Sequence, residues 1–122
     1  MAKDLTISVL YDFYGELLTQ KQREVIELYY NEDLSLAEIA ADSGITRQGV
    51  RDSIKRGECQ LLEFERQLGL AGRFSKIEEK LEEICRSVSE IEQINNRLCG
   101  SREISSQAAK ITELARAISE LE

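Results

Sequence analysis

Arg47, Arg51 and Lys55 recur every four residues with Gln48 beside the first of them, and no other cluster in the chain has residue types so suited to one chemistry. Four residues is slightly more than a helical turn, so the three cations form one stripe along a helix. Arg offers a planar fork of donors to a guanine edge or a phosphate, and the Gln amide can pair an adenine edge. Lys55 and Arg56 suit the phosphate backbone. The pattern therefore fits nucleic-acid contact. A solvated helix face fits the same spacing. Asp52, beside Gln48, opposes phosphate unless it pairs with Arg56 at i+4 or accepts from a cytosine amine.

The elements that must position this stripe are legible around it. Ser35 followed by Glu38 forms a capping box, which starts a helix near Leu36 with Leu36, Ile39 and Ala40 on one face. Gly44 sits where a left-handed residue ends that helix. Ile45 is the apolar plug of the turn and Thr46 the next N-cap, orienting the start of the second helix, whose inward face continues with Val50 and Ile54. Two short helices joined by a tight turn make a helix-turn-helix.

Before it, a helix is predicted over residues 4 to 15, with Leu5, Val9, Leu10 and Phe13 as apolar spokes. Thr19 with Gln22 is a second capping box, opening a helix that runs to about Asn31 with Val25, Ile26, Leu28 and Tyr29 making inward contacts. Tyr29 and Tyr30, like Tyr11, Phe13 and Tyr14, read as core or half-buried packing with any hydroxyl at the rim. The recognition helix continues through Leu61, Leu62 and Phe64 to Leu68 and stops at Gly69.

These residues carry a resemblance. YDFY at Tyr11 to Tyr14, LT-x-KQ at Leu18 to Gln22, LYY at Leu28 to Tyr30, SLAEIA at Ser35 to Ala40 and RQGV-x-D-x-IKR-x-E at Arg47 to Glu58 together resemble the YlxM family of small bacterial helix-turn-helix proteins. That family is similar in turn to the promoter-reading C-terminal domain of sigma factors. The resemblance covers about the first two thirds of the chain. It implies an all-helical cytoplasmic protein acting in, or regulating, the signal recognition particle pathway.

Composition bounds the rest. The 122 residues include no Pro, no Trp and no His, with abundant Glu, Leu, Ile, Lys and Arg, which points to helix throughout. Residues 1–69 hold 8 basic and 13 acidic side chains, and residues 70–122 hold 8 and 10, within a net charge of −7. Such a field repels a polyanion at range, so nucleic-acid binding must use a local stripe, and two copies acting together would strengthen it. Cys59, Cys85 and Cys99 show no Cys-x-x-Cys spacing and read as reduced thiols, Cys59 half-buried. No metal, cofactor or membrane span is expected, and no signal peptide is recognisable.

LGLAGRF, Leu68 to Phe74, holds two glycines in four residues and is the candidate hinge, dividing a helix-turn-helix domain over 1–69 from a tail over 70–122. In the tail Phe74, Leu81, Val88 and Asn95 fall seven apart, as do Ile77, Ile84, Ile91 and Leu98, so the two series form a heptad seam wanting a partner helix. Asn95 is either a buried register-setting amide or part of a frayed helix end before Gly100. Ile104, Ile111 and Ile118 repeat by seven in a second amphipathic helix. That helix either folds back on the first, helped by the small Ala108 and Ala115, or both pair with another chain as a coiled coil. A lone hairpin buries little, so a homodimer or docking on the first domain is expected.

Catalytic signals are missing: there is no phosphate-binding loop and no nucleophile elbow, and EEKLEE at Glu78 to Glu83 reads as a charged helix face. The expectation is an all-α DNA-binding regulator rather than an enzyme, reading bases or phosphates through Thr46, Arg47, Gln48, Arg51, Lys55 and Arg56. DNA is one ligand and the particle's RNA another. The competing reading is an adaptor that keeps the helix-turn-helix as scaffold and binds a protein component of that particle.

Overall fold

A computed structural model describes residues 3–98 and 100–121. The described chain is helical from end to end: α1 (Leu5–Tyr14), α2 (Gln20–Ile26), α3 (Leu36–Ser43), α4 (Arg47–Leu68), α5 (Leu70–Leu98) and α6 (Arg102–Ser119), with a 3-10 turn at Gly15–Leu17 and a π-helical turn at Glu27–Asn31. It divides into two compact units, Met1–Gly72 and Arg73–Glu122.

Local chemistry sets the helix starts. Thr19 and Ser35 each accept from the backbone N–H three residues on, and Gln22 and Glu38 reach back to the cap, so both capping boxes are complete. Asp4 caps α1 and Thr46 caps α4. Gly44 ends α3 at φ 69° and Gly69 ends α4 at φ 63°, left-handed conformations that a side chain would strain.

In the N-terminal unit α4 is the central post, packed by α1, α2 and α3. Its inward edge, Val50, Ile54 and Leu61, is wholly buried together with Ile26 of α2 and Ile39 of α3. Each such aliphatic side chain contributes roughly 1.5–3 kcal/mol by leaving water. Gly57 lets α2 approach, since a Cβ there would stand 3.1 Å from Ile26 Cγ1.

The inward face of α1 keeps Leu10 of the four expected spokes and loses the other three. Ile7, Leu10 and Tyr14 are buried, whereas Leu5, Val9 and Phe13 face outward. Both faces of this helix are apolar, but only the first brings a polar anchor to a partner: Tyr14 Oη donates to Glu65 Oε1 at 2.5 Å and accepts from Leu70 N at 2.9 Å. In the second helix Val25, Ile26 and Tyr29 are buried and Leu28 is half-buried. Adjacent tyrosines on the π-turn point in different directions and do different work. Tyr29 enters the core, while Tyr30 meets it edge-on at 5.2 Å and donates to Glu58 Oε1 at 2.8 Å.

The expected hinge also contracts. Gly69 alone interrupts the helix, and Ala71 to Phe74 are already helical in α5. Glu65 explains the prompt restart, because its carboxylate accepts from Ala71 N at 3.1 Å and Gly72 N at 3.0 Å and so caps the first turn of α5. Leu62 and Cys59 are exposed, the latter against the half-buried expectation, because both lie on the side of α4 away from Val50, Ile54 and Leu61. Cys85 is half-buried, and Cys99 lies outside the described residues.

In the second unit α6 folds back along α5. Leu81, Val88 and Asn95 of α5 and Ala108 and Ala115 of α6 form its buried seam. Two alanines seven apart remove the bulk that would hold the helices apart. Asn95 is a buried amide rather than a frayed end, within the hairpin: it donates to Ser101 O at 2.8 Å and Ser105 Oγ at 3.1 Å, and its oxygen accepts from Ser101 N at 2.9 Å. At the other end Ser119 Oγ donates to Glu78 at 3.0 Å. No helix among the described residues is long and apolar enough to cross a membrane.

Candidate nucleic-acid interface

Gly44, Ile45 and Thr46 join α3 to α4. The Gly44 and Ile45 amides both return to Ala40 O, at 3.0 and 3.3 Å, which folds the chain tightly, and Thr46 Oγ1 accepts from Gly49 N at 3.0 Å to fix where α4 begins. Val50, Ser53, Ile54 and Gly57 are the buried edge of its first turns. At 3.6 residues per turn the opposite edge falls near Gln48 and Lys55, with Arg51 to one side and Asp52 to the other.

Arg47, Gln48, Arg51, Lys55 and Arg56 are all exposed. Among the described residues none of the four cations pairs with a carboxylate, whereas farther along the same helix Arg66 is held by Glu63, Nε to Oε2, at 2.9 Å. The first cations are thus available to a ligand. Arg47 to Lys55 spans about 12 Å of helix axis, comparable with the width of the B-DNA major groove.

The six sequence-selected residues do not form one uniform surface. Arg47, Arg51 and Lys55 make the stripe, Thr46 serves as its cap, and Arg56 turns off it into a shallow groove shared with Lys21, Gln22 and Asp52. Lys21 is the addition that sequence reasoning missed. Nothing local links the first turn of α2 to a residue thirty-five positions later, and only the close α2–α4 packing at Gly57 brings them together.

Asp52 does not neutralise Arg56. It accepts instead from Gln48 Nε2 at 3.0 Å, so the amide expected to read an adenine is engaged within the helix. The pair is exposed, and exchanging it for a ligand contact costs about 1 kcal/mol. Negative groups hem the stripe elsewhere: Glu38 and Asp42 on α3 are exposed, and Asp42 shares another shallow groove with Glu24 and Glu27. Within the helix-turn-helix, the exposed cations gather on the opening turns of α4, with Lys21 beside Arg56.

Comparison with known proteins agrees with this geometry. A family model described as "Putative helix-turn-helix protein, YlxM / p13 like" matches residues 1–99. A UPF0122 protein of Thermoanaerobacter sp. (strain X514) is 45% identical over 118 residues, 96% of this chain and 94% of the relative. One of Desulforamulus reducens is 50% identical over 78 residues, 64% of this chain and 67% of its own. Another, of Bacillus cereus (strain AH187), is 41% identical over 98 residues, covering 80% of this chain and 89% of the relative.

Proposed function

The chain belongs to the UPF0122 family of YlxM/p13-like helix-turn-helix proteins, and from that premise we propose that it is a DNA-binding regulatory protein that reads duplex DNA with α4. One observation carries the reading: Arg47, Arg51 and Lys55 stand exposed and unpaired, among the described residues, on the second helix of a fully capped helix-turn-helix. In this reading Arg47 and Arg51 contact base edges or phosphates at the N-terminal end of the recognition helix. Lys55, Arg56 and Lys21 hold the backbone. Gln48 reads a base after releasing Asp52.

Two copies act together in this proposal, because three cations on an acidic chain give weak binding alone. The YlxM resemblance supplies a cytoplasmic setting, the signal recognition particle pathway. A second reading, an adaptor for a basic protein of that pathway, is favoured by the net charge of −7.

Fluorescence anisotropy of labelled promoter duplex and particle RNA separates them, comparing the natural chain with Arg47→Ala/Arg51→Ala at about 50 and 200 mM salt. With all five cations on phosphates, the log–log salt slope reaches about −4.5 per copy, and the double variant loses up to about 1.8 of it with at least a tenfold fall in affinity. Equal duplex binding by both proteins would refute the DNA reading. Retention of RNA alone would point to the particle, and unaltered capture of the particle's protein to the adaptor.

A further inference from the structure

The two series of the α5 seam have separate fates. Leu81, Val88 and Asn95 are used up against α6, but Ile77, Ile84 and Ile91, three residues after Phe74, Leu81 and Val88, remain 43–48% exposed. The same division occurs in α6. Ala108 and Ala115 are buried, whereas Ile104, Ile111 and Ile118 remain 39–48% exposed.

Antiparallel helices reverse the sense of rotation about their axes, so two rows offset identically from the buried seam emerge on the same side of the hairpin. Ile91, Ile104 and Ile111 indeed line one apolar groove floored by Val88 and Ala108. The seam register, with Asn95 at Ser101 and Glu78 at Ser119, stacks Ile77 with Ile118, Ile84 with Ile111, and Ile91 with Ile104. The result is three isoleucine layers, one on each heptad, with Glu103 and Gln107 at the rim of the groove.

We infer that this face is the docking surface for the same face of a second copy, closing two hairpins into a four-helix bundle. Three properties select that occupant. The layers repeat at the heptad spacing that an identical pair of helices presents, so the surface is complementary to itself, as a twofold contact requires. Its area is sufficient: the six isoleucines with Leu98 and Leu114 expose on the order of 700 Å² per copy, close to one side of a standard protein interface and above the largest apolar patch of a typical monomer. The face is also held ready, because Asn95 locks one end of the hairpin and the Ser119–Glu78 bond the other. A lipid surface is a poor match, since residues 73–122 hold 8 basic and 10 acidic side chains.

The test is sedimentation equilibrium of the full chain, with helicity followed by circular dichroism. The natural protein is expected to sediment at twice its 13.9 kDa mass, with an association constant nearly insensitive to salt. Ile84→Glu/Ile111→Glu, at positions already exposed, is expected to retain helicity and weaken association at least a hundredfold. Should that pair unfold, Ile84→Gln/Ile111→Gln is expected to weaken it at least tenfold with helicity preserved. Val9→Glu, on the outward face of α1, is expected to leave the dimer intact. A natural chain that stays monomeric at about 100 μM, association undiminished in a folded isoleucine variant, or association lost in Val9→Glu overturns the inference.

Discussion

Tyr14→Phe tests how the N-terminal unit is fastened. The ring is 1% exposed and lies 6.0 Å from Phe64 between centroids, so removal of the hydroxyl leaves the packing in place and isolates two hydrogen bonds. One is charge-assisted, Tyr14 Oη to Glu65 Oε1 at 2.5 Å, and the other accepts from Leu70 N at 2.9 Å at the start of α5. A bond to a charged group contributes about 1.5–3 kcal/mol and a neutral one about 0.5–1.5. Glu65 keeps the Ala71 and Gly72 amides in the variant, which limits the loss. The expected cost is about 2–3 kcal/mol.

Tyrosine fluorescence during urea unfolding of the full chain is the assay, because there is no Trp and the four tyrosines, residues 11, 14, 29 and 30, all report on the N-terminal unit. The pH dependence supplies an independent sign. The Tyr14 hydroxyl, ahead of the Ala71 and Gly72 amides, holds the Glu65 carboxyl below its ordinary range against the effect of burial. A depressed carboxylate contributes stability that is present above its unfolded pKa, near 4.5, and is lost as pH falls through the lower folded value. Tyr14→Phe therefore loses less stability than the natural chain on acidification through that window. A stability change below about 0.5 kcal/mol at neutral pH, or identical acid limbs, would refute the reasoning.

Gly57→Val forces a branched side chain against Ile26, whose Cγ1 and Cδ1 would lie 3.1 and 3.2 Å from the new Cβ, and is expected to cost about 1–3 kcal/mol in the same urea assay. Asn95→Ala removes the three bonds that tie α5 to the turn before α6; faster amide exchange at Ser101 and Ser105, with α4 amides unchanged, is the expected readout. Asp52→Asn takes a carboxylate out of the cationic surface and loosens Gln48, so duplex affinity is expected to rise about three- to tenfold at low salt, an effect that anisotropy measures directly.

Features legible in the sequence were those encoded within a few residues. The Thr19 and Ser35 capping boxes, the left-handed Gly44 and Gly69, and the Val50–Ile54 edge each follow from spacing and residue type, and together they define the helix-turn-helix. What escaped was decided by distant partners. On α1 two apolar faces compete, and the one that is buried also brings Tyr14 to Glu65, fifty-one residues away. At the hinge, Glu65 capping the next helix reduces an expected seven-residue linker to one glycine. The heptad phase of Asn95 was readable, but its bonds to Ser101 and Ser105 depended on how the hairpin turns. The candidate site followed the same rule. Its stripe was readable from i, i+4 spacing, while Lys21 and the Gln48–Asp52 pair depended on packing and rotamer.

An acidic body and a cationic helix edge are compatible because they act over different distances. Charges farther apart than the Debye length, about 8 Å at physiological salt, are largely screened, so carboxylates beyond that distance would weigh little once α4 is seated. They weigh more on any pose that brings another face to the duplex. With 23 acidic against 16 basic residues, the net charge opposes such poses, and it would disfavour sliding on nonspecific sequence as well. In the proposed reading, affinity then comes from poses that place Arg47, Arg51 and Lys55 in a groove. If two copies pair through the isoleucine face as inferred, those contacts and the repulsion everywhere else would both double, so a second copy would sharpen discrimination between seated and unseated protein more than it would raise general affinity for DNA.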